Sequence, residues 1–156
     1  MPKTMFGKGA GASGKGAGVF GGGGTVIEGI EDAELARLLS LGRLTLGVTL
    51  LVAPTRTLRV WTGDAEPSFS ARLAARGLGG RDVAIAIGTL ISLDAENGHG
   101  SRVRGWLEAG SVADASDTIA GLSVGGQMRP LRRVLLVATS AAAVVLGLRL
   151  AEALDK

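Results

Sequence analysis

The stretch LRRVLLVATSAAAVVLGLRLAEAL, residues 131–154, decides the fold. As an α-helix with a rise of 1.5 Å per residue it would be about 36 Å long. Val134 to Leu148 carries no charge, and Arg133 and Arg149 stand where long side chains can reach toward the two headgroup layers. A helix that crosses a bilayer needs about 20 mostly apolar residues. The stretch therefore predicts a transmembrane helix.

Three more apolar segments precede this one, and charged, Pro-bearing or Gly-bearing connections separate them. The first begins near Glu31 and Asp32, whose carboxylates suit a helix N-terminus, and Pro54 ends or kinks it. No segment alternates for long between apolar and polar residues, as a half-buried strand would. We therefore predict an all-α chain, a four-helix transmembrane bundle over residues 31–156 with helices at about 31–53, 70–93, 105–124 and 131–154.

The composition fits one domain but does not decide whether that domain folds in water or in a membrane. At 156 residues the chain has an ordinary single-domain length. Hydrophobic residues make up 46% and aromatic residues only 3%, and the mean hydropathy of +0.34 is high for a cytosolic domain and low for a multi-span transporter. These values are compatible with a soluble bundle and with a membrane bundle.

Charge and residue usage argue against several classes of function. The 17 Lys and Arg residues are scattered along the chain and not interleaved with aromatics, so we expect no nucleic-acid binding. The sequence has no cysteine, which excludes disulfides and thiolate chemistry. The single histidine, His99, lies between glycines, a loop setting. We expect no catalytic, cofactor or metal site, and therefore no enzyme.

The start of the chain is rich in glycine: GKGAGASGKGAGVFGGGG, residues 7–24. Gly9 to Gly14 matches the dinucleotide-binding fingerprint, and Gly9 to Gly16 is nearly a phosphate-binding P-loop. Both motifs need a buried strand before them and a helix after them, since amides at that turn hold the phosphate. Neither flank is present, so we interpret residues 1–30 as a disordered, flexible tail.

Small and polar residues recur at helical spacing on one side of each segment. In a soluble bundle such a stripe faces water, whereas in a membrane it faces the neighbouring helices. Gly, Ala and Ser are poor choices for a water-exposed helix, which favours the membrane and leaves the soluble bundle as the alternative. The four stripes are Ser40, Arg43, Gly47 and Pro54; Gly77, Arg81, Ala84, Gly88 and Ser92; Gly110, Asp114, Asp117 and Gly121; and Thr139, Ala143, Gly147 and Ala151.

The two tryptophans fit the same membrane arrangement. Trp61 follows the first segment and Trp106 opens the third, so each would lie near a membrane interface, where tryptophan is enriched. Basic residues near the segment ends do not fix which side of the membrane holds the termini.

Five charged residues fall inside the predicted helices: Arg43, Arg81, Asp82, Asp114 and Asp117. Each would cost roughly 2.5 to 3.5 kcal/mol at the middle of a bilayer, so we expect them to pair. Arg81 and Asp82 are adjacent and point about 100° apart, so each suits a partner on another helix. We predict that Arg81 contacts Asp114 or Asp117. The cluster either holds the bundle together, the favoured interpretation, or handles protons or a solute.

Three stretches together resemble a family of small uncharacterised four-helix bacterial integral membrane proteins. They are LGRLTLGVTLLVAPTRTLRVW, GLGGRDVAIAIGTL and RGWLEAGSVADASDT, which show an Ala-Pro and Trp end to the first helix, a Gly-Arg-Asp entry to the second and Asp-x-x-Asp on the third. The resemblance covers roughly Leu41 to Leu150. It implies a four-span fold in which Arg81, Asp82, Asp114 and Asp117 belong to the shared pattern, and it implies no activity.

The sequence therefore predicts a multi-pass protein of a bacterial cytoplasmic membrane. We expect an accessory or scaffold component of a membrane assembly, whose partners are membrane lipid and other membrane proteins or further copies of itself. The alternative is a small proton-linked carrier or channel that uses the Arg/Asp cluster.

Overall fold

The computed structural model describes residues 26–27, 29–95, 100–123 and 128–155, and its secondary structure there is helical apart from one isolated bridge between Ile27 and Ile30. The all-α prediction is confirmed. The glycine-rich stretch at residues 7–24 and His99 lie outside the described residues. The helices are α1 (Asp32–Val52), α2 (Pro54–Thr62), α3 (Phe69–Asp94), α4 (Gly100–Ser123) and α5 (Pro130–Ala153).

The short helix α2 was not predicted. The backbone at Ala53 leaves the helical region, and Pro54 then starts a new helix, because its fixed φ suits the first helical position. Gly63 ends α2 with a φ of 85°, a left-handed conformation that favours glycine. Pro54 thus ends one helix and begins another, and Trp61 lies within α2 rather than in a connection.

The long helices form two antiparallel hairpins. Helix α1 packs mainly on α3, and α4 packs mainly on α5, while α3 and α4 join the hairpins. Arg37 near the start of α1 pairs with Asp94 at the end of α3, and Arg76 donates to the Leu51 carbonyl at the opposite end. Consecutive long helices therefore run in alternate directions.

The apolar core lies at the end of the bundle that holds the start of α1 and the end of α5. Its buried members are Leu35, Ala36, Val103, Leu107, Leu150 and Ala151. Farther along the helices most of the buried side chains are small or polar, among them Ser40, Ser111, Thr89 and Ala86, and Ile85 is the large apolar exception. Small residues permit close packing of α1 on α3 and of α4 on α5.

Helices α1 and α3 approach each other closely at Gly47 and Gly79. A Cβ atom built on Gly47 would lie 2.8 Å from the Gly79 carbonyl oxygen, and one on Gly79 would lie 2.6 Å from the Gly47 oxygen. Real side chains do not tolerate such contacts with backbone, so this crossing requires glycine on both helices.

Hydroxyls join the two helices of the α4–α5 hairpin. Thr118 of α4 donates to Ser140 Oγ of α5 over 2.8 Å, and Ser140 donates in turn to the Leu136 carbonyl. The hydroxyl of Ser111 on α4 packs directly against Gly147 of α5, and a Cβ added to that glycine would collide with it. Buried hydroxyls in this bundle therefore have partners within it.

Large apolar side chains cover the outside of the bundle. Exposed examples on all four long helices are Leu41, Val48, Val52, Leu73, Ile87, Ile91, Val112, Ile119, Val134, Leu135, Val145 and Leu148. Only 28% of the most apolar part of α1 and 22% of that of α5 is buried. The apolar faces thus point away from the interior.

Within the described residues two helices, and not the predicted four, are long and apolar enough to cross a membrane: α1 and α5. Helices α3 and α4 are also long, but Arg81 and Asp82 interrupt the first and Glu108, Asp114 and Asp117 the second. These charges lower the average hydropathy of each helix whether they point outward or inward.

The predicted stripes are right on two helices and partly wrong on two. On α1 the glycine–serine side is buried, and on α4 the stripe from Gly110 to Gly121 faces inward. On α3, however, Gly77 and Ala84 are exposed, and the inner face is Ala75, Gly79, Asp82, Ala86 and Thr89. On α5 Thr139 is exposed and its neighbour Ser140 is buried. Both α3 and α5 carry small residues on two sides, so composition alone does not show which side faces inward.

Candidate functional site

The structure brings all five charged residues predicted for the site together near the middle of the bundle. Helix α1 supplies Arg43, α3 supplies Arg81 and Asp82, and α4 supplies Asp114 and Asp117. We call these five residues the polar cluster. Because α1 and α4 both pack against α3, residues distant in sequence meet at one level of the bundle.

Arg43 forms the inner part of the polar cluster. Its Nη2 lies 2.5 Å from Asp114 Oδ2, and its Nη1 lies 3.5 Å from Asp82 Oδ1. The three side chains are 10%, 12% and 7% exposed, in the order Arg43, Asp114 and Asp82. A short charge-assisted pair with so little exposure is less screened than a surface pair.

Arg81 forms the outer part. Its guanidinium contacts both oxygens of Asp117, at 2.9 and 3.3 Å, in a bidentate pair. Asp117 is one of the two partners expected for it. Arg81 also donates to Asp82 Oδ1 at 3.1 and 3.2 Å, which the sequence argument about diverging neighbours did not anticipate. The long Arg81 side chain folds back far enough to reach its neighbour, so both partners share one guanidinium.

The polar cluster carries an excess negative charge. Its three carboxylates face two guanidinium groups, which leaves a formal charge of −1. Among the described residues, no hydrogen bond reaches Asp82 Oδ2 or Asp114 Oδ1. In the same part of the chain, every fully buried side-chain nitrogen or oxygen has a partner. The two unpaired oxygens are therefore accessible from a cavity.

That cavity is a groove of about 370 Å³ between α1 and α5. Leu38, Leu46 and Leu136 form part of its apolar walls, and Arg43 with the three carboxylates forms its floor. The exposed residues Gly42 and Thr139 line it as well, so it opens at the surface of the bundle. We call it the α1–α5 groove; it places the acids of the polar cluster within reach of a molecule outside the bundle.

A second cavity of about 310 Å³ extends from the same place toward α2. It shares Leu46, Trp61, Asp82, Asp117 and Leu136 with the α1–α5 groove. Trp61, which the sequence suggested only as an interface residue, therefore lines both cavities. Gly42 and Ser140, which also line the groove, were not predicted. Ser140 lies beside the predicted stripe residue Thr139. Nothing in the sequence shows that α1 and α5 diverge and leave a groove between them.

The described residues contain no group of three or more His, Asp or Glu side chains placed to hold a metal ion. The three acids of the polar cluster each contact an arginine instead. What this arrangement can do chemically is to hold a cation or exchange a proton at the open carboxylate oxygens.

Comparisons of the chain with protein-family models, with curated proteins and with solved structures find no match.

Proposed function

We propose that this chain is a multi-pass protein of a bacterial cytoplasmic membrane, in which α1, α3, α4 and α5 all cross the bilayer, and that it serves as a non-enzymatic accessory or scaffold component of a membrane assembly. One observation carries the proposal. Charged and small side chains fill the middle of the bundle, while large aliphatic side chains cover its outside. A water-soluble bundle buries its large apolar side chains, whereas lipid accepts them on the outside.

The charges of α3 and α4 are compatible with spanning helices because of where they point. Asp82 and Asp114 are buried and paired with Arg43, and Arg81 and Asp117 pair at the edge of the same cluster. A charged residue inside a membrane is tolerated when it faces the bundle interior and meets an opposite charge. Average hydropathy undervalues such a helix, because it counts an inward charge as if lipid surrounded it.

An accessory role is supported by small residues that remain on the outside of α3. Gly77, Gly80 and Ala84 are exposed, and Cβ atoms built on the two glycines would meet nothing within 4 Å. Gly80 and Ala84 are four residues apart, the small-xxx-small spacing that lets two membrane helices approach closely. This face is available to a helix of another protein or of a second copy.

We expect the chain, solubilised from its membrane in a mild detergent, to run as an assembly larger than one copy. Gly80→Leu should reduce it to a single copy, because the bulky side chain fills the exposed small-residue face without touching the bundle. Size-exclusion chromatography with light scattering measures both masses. Gly105→Leu, at an open glycine of α4, is the matched control and should leave the assembly intact. An unaltered chain that is already a single copy would contradict the scaffold proposal.

The second candidate is a small proton-linked carrier, which the opening of the α1–α5 groove onto the polar cluster favours. Replacing Asp114 and Asp117 together by Asn separates the two candidates. If the cluster is structural, the double variant leaves two guanidiniums facing one carboxylate, and we expect a clearly lower yield of folded protein. Helicity and monodispersity after purification measure that yield. A double variant that folds at the unaltered yield would instead favour the carrier.

A further inference from the structure

The α1–α5 groove exists because the two helices on either side of it meet only toward one end. Leu35 and Ala36 of α1 share the apolar core with Leu150 and Ala151 of α5. Beyond this contact the helices line opposite sides of the groove, which has Gly42 on one side and Thr139 on the other. No side chain of the described residues fills this gap, although it reaches the middle of the bundle.

The walls and the floor of the groove differ in chemistry. Leucines of α1 and α5 make the walls, and Trp61 contributes an aromatic ring from α2. The floor holds the carboxylates of Asp82, Asp114 and Asp117 together with Arg43. Because the polar cluster has an excess of one negative charge and two unpaired carboxylate oxygens, the floor attracts a single positive charge.

We propose that the α1–α5 groove binds a lipophilic organic cation with one positive charge. The apolar walls suit the body of such a molecule, the excess carboxylate suits its charge, and the Trp61 ring provides a favourable surface for a cation. A cavity of about 370 Å³ lies within the range of sites for small organic ligands. An anion of the same shape meets the same walls but is repelled by the floor.

The site goes beyond the accessory role and does not require transport. It rests on the proposed membrane placement, because a lipophilic cation concentrates in the bilayer and would enter between the lipid-facing sides of α1 and α5. If the second candidate function holds, the site gives that carrier its class of ligand.

The probe is tetraphenylphosphonium, and its matched control is tetraphenylborate, which has nearly the same size and shape but a negative charge. Each is titrated into the full chain in nonionic detergent micelles, with empty micelles subtracted, and binding is followed by equilibrium dialysis. We expect saturable binding of one phosphonium ion per chain and binding of the borate that is weaker by about tenfold or more.

Three variants locate the site. Gly42→Trp fills the groove without a clash at its base, since a Cβ on Gly42 meets nothing within 4 Å. Asp117→Asn removes the excess charge and leaves Arg81 paired with Asp82. We expect each to weaken phosphonium binding by about tenfold or more. Gly105→Trp, at an open glycine of α4 that does not line the groove, is the control and should bind as the unaltered chain does.

Equal binding of the two ions, or phosphonium binding that Gly42→Trp leaves unchanged, would overturn the proposal, because either shows partition into apolar surface only. Circular dichroism verifies that each variant is folded before it is titrated. An alkaline carbonate wash of the membranes tests the placement separately. A chain that stays in the washed membrane but shows no preference for the cation defeats this inference alone, whereas a chain released by the wash defeats the proposed function.

Discussion

Replacing Arg43 by methionine is expected to lower the free energy of unfolding by about 3 to 5 kcal/mol. Methionine keeps much of the side-chain length but removes the guanidinium that contacts Asp114 and Asp82. Three carboxylates would then face only Arg81, and two of them are almost completely buried. Unfolding of the purified chain in mixed micelles, with increasing sodium dodecyl sulfate and detection by circular dichroism, measures the change.

A second substitution tests whether the loss comes from unpaired charge. Adding Asp114→Asn to Arg43→Met restores the formal charge of the polar cluster to −1, so we expect the double variant to regain a large part of the lost stability. Arg149→Met, which removes an exposed arginine of α5, is the control and should have little effect. A loss below about 1 kcal/mol for Arg43→Met would contradict a structural role for the polar cluster.

Replacing Gly79 by alanine is expected to destabilise the bundle by about 1 to 3 kcal/mol. The new Cβ would lie 2.6 Å from the Gly47 carbonyl oxygen and 2.9 Å from Leu50 Cβ. A backbone oxygen held in a helix cannot rotate away as a side chain can, so α1 and α3 must move apart. The same detergent unfolding experiment measures the effect.

The neighbouring glycine provides the matched control. A Cβ on Gly80 meets nothing within 4 Å, and alanine favours the helix over glycine by up to about 1 kcal/mol. Gly80→Ala should therefore be neutral or slightly stabilising, opposite in sign to Gly79→Ala. Equal effects at the two positions would mean that the close contact of α1 and α3 does not contribute to stability.

Much of the helical framework could be predicted from the sequence. The length of the apolar segments located the long helices, because charged, Pro-bearing or Gly-bearing connections separate one segment from the next. The polar cluster could also be predicted, since charges of both signs inside apolar segments have to pair. Opposite charges limited the partners of Arg81 on α4 to Asp114 or Asp117, and the structure has Asp117.

The inner face of α3 could not be predicted in the same way. Gly79 and Gly80 are adjacent and identical, yet one is buried against α1 and the other is exposed. Arg81 and Asp82 are adjacent as well, and the shorter side chain takes the buried position because the longer one can reach its partners from the edge of the bundle. Such choices depend on the neighbouring helix, which local spacing does not contain.

The α1–α5 groove was also beyond the sequence. Its floor comes from α1, α3 and α4, its walls come from α1 and α5, and Trp61 comes from a helix that was not predicted. Nothing local to any one helix indicates that two others diverge. The cavity follows from packing of the hairpins, in which α1 and α5 contact each other less than each contacts its own partner.

The central claim is that four helices cross the membrane, and cysteine labelling tests it most directly because the sequence has no cysteine of its own. Asp64→Cys, Ala95→Cys and Asp155→Cys each place one thiol at an exposed position in a connection or after α5. An impermeant maleimide is applied to intact cells stripped of their outer layers and to inverted membrane vesicles. Four spanning helices predict that the thiols at 95 and 155 label from one side and the thiol at 64 from the other. Labelling at 95 from the same side as 64 would contradict the claim, because α3 would then not cross.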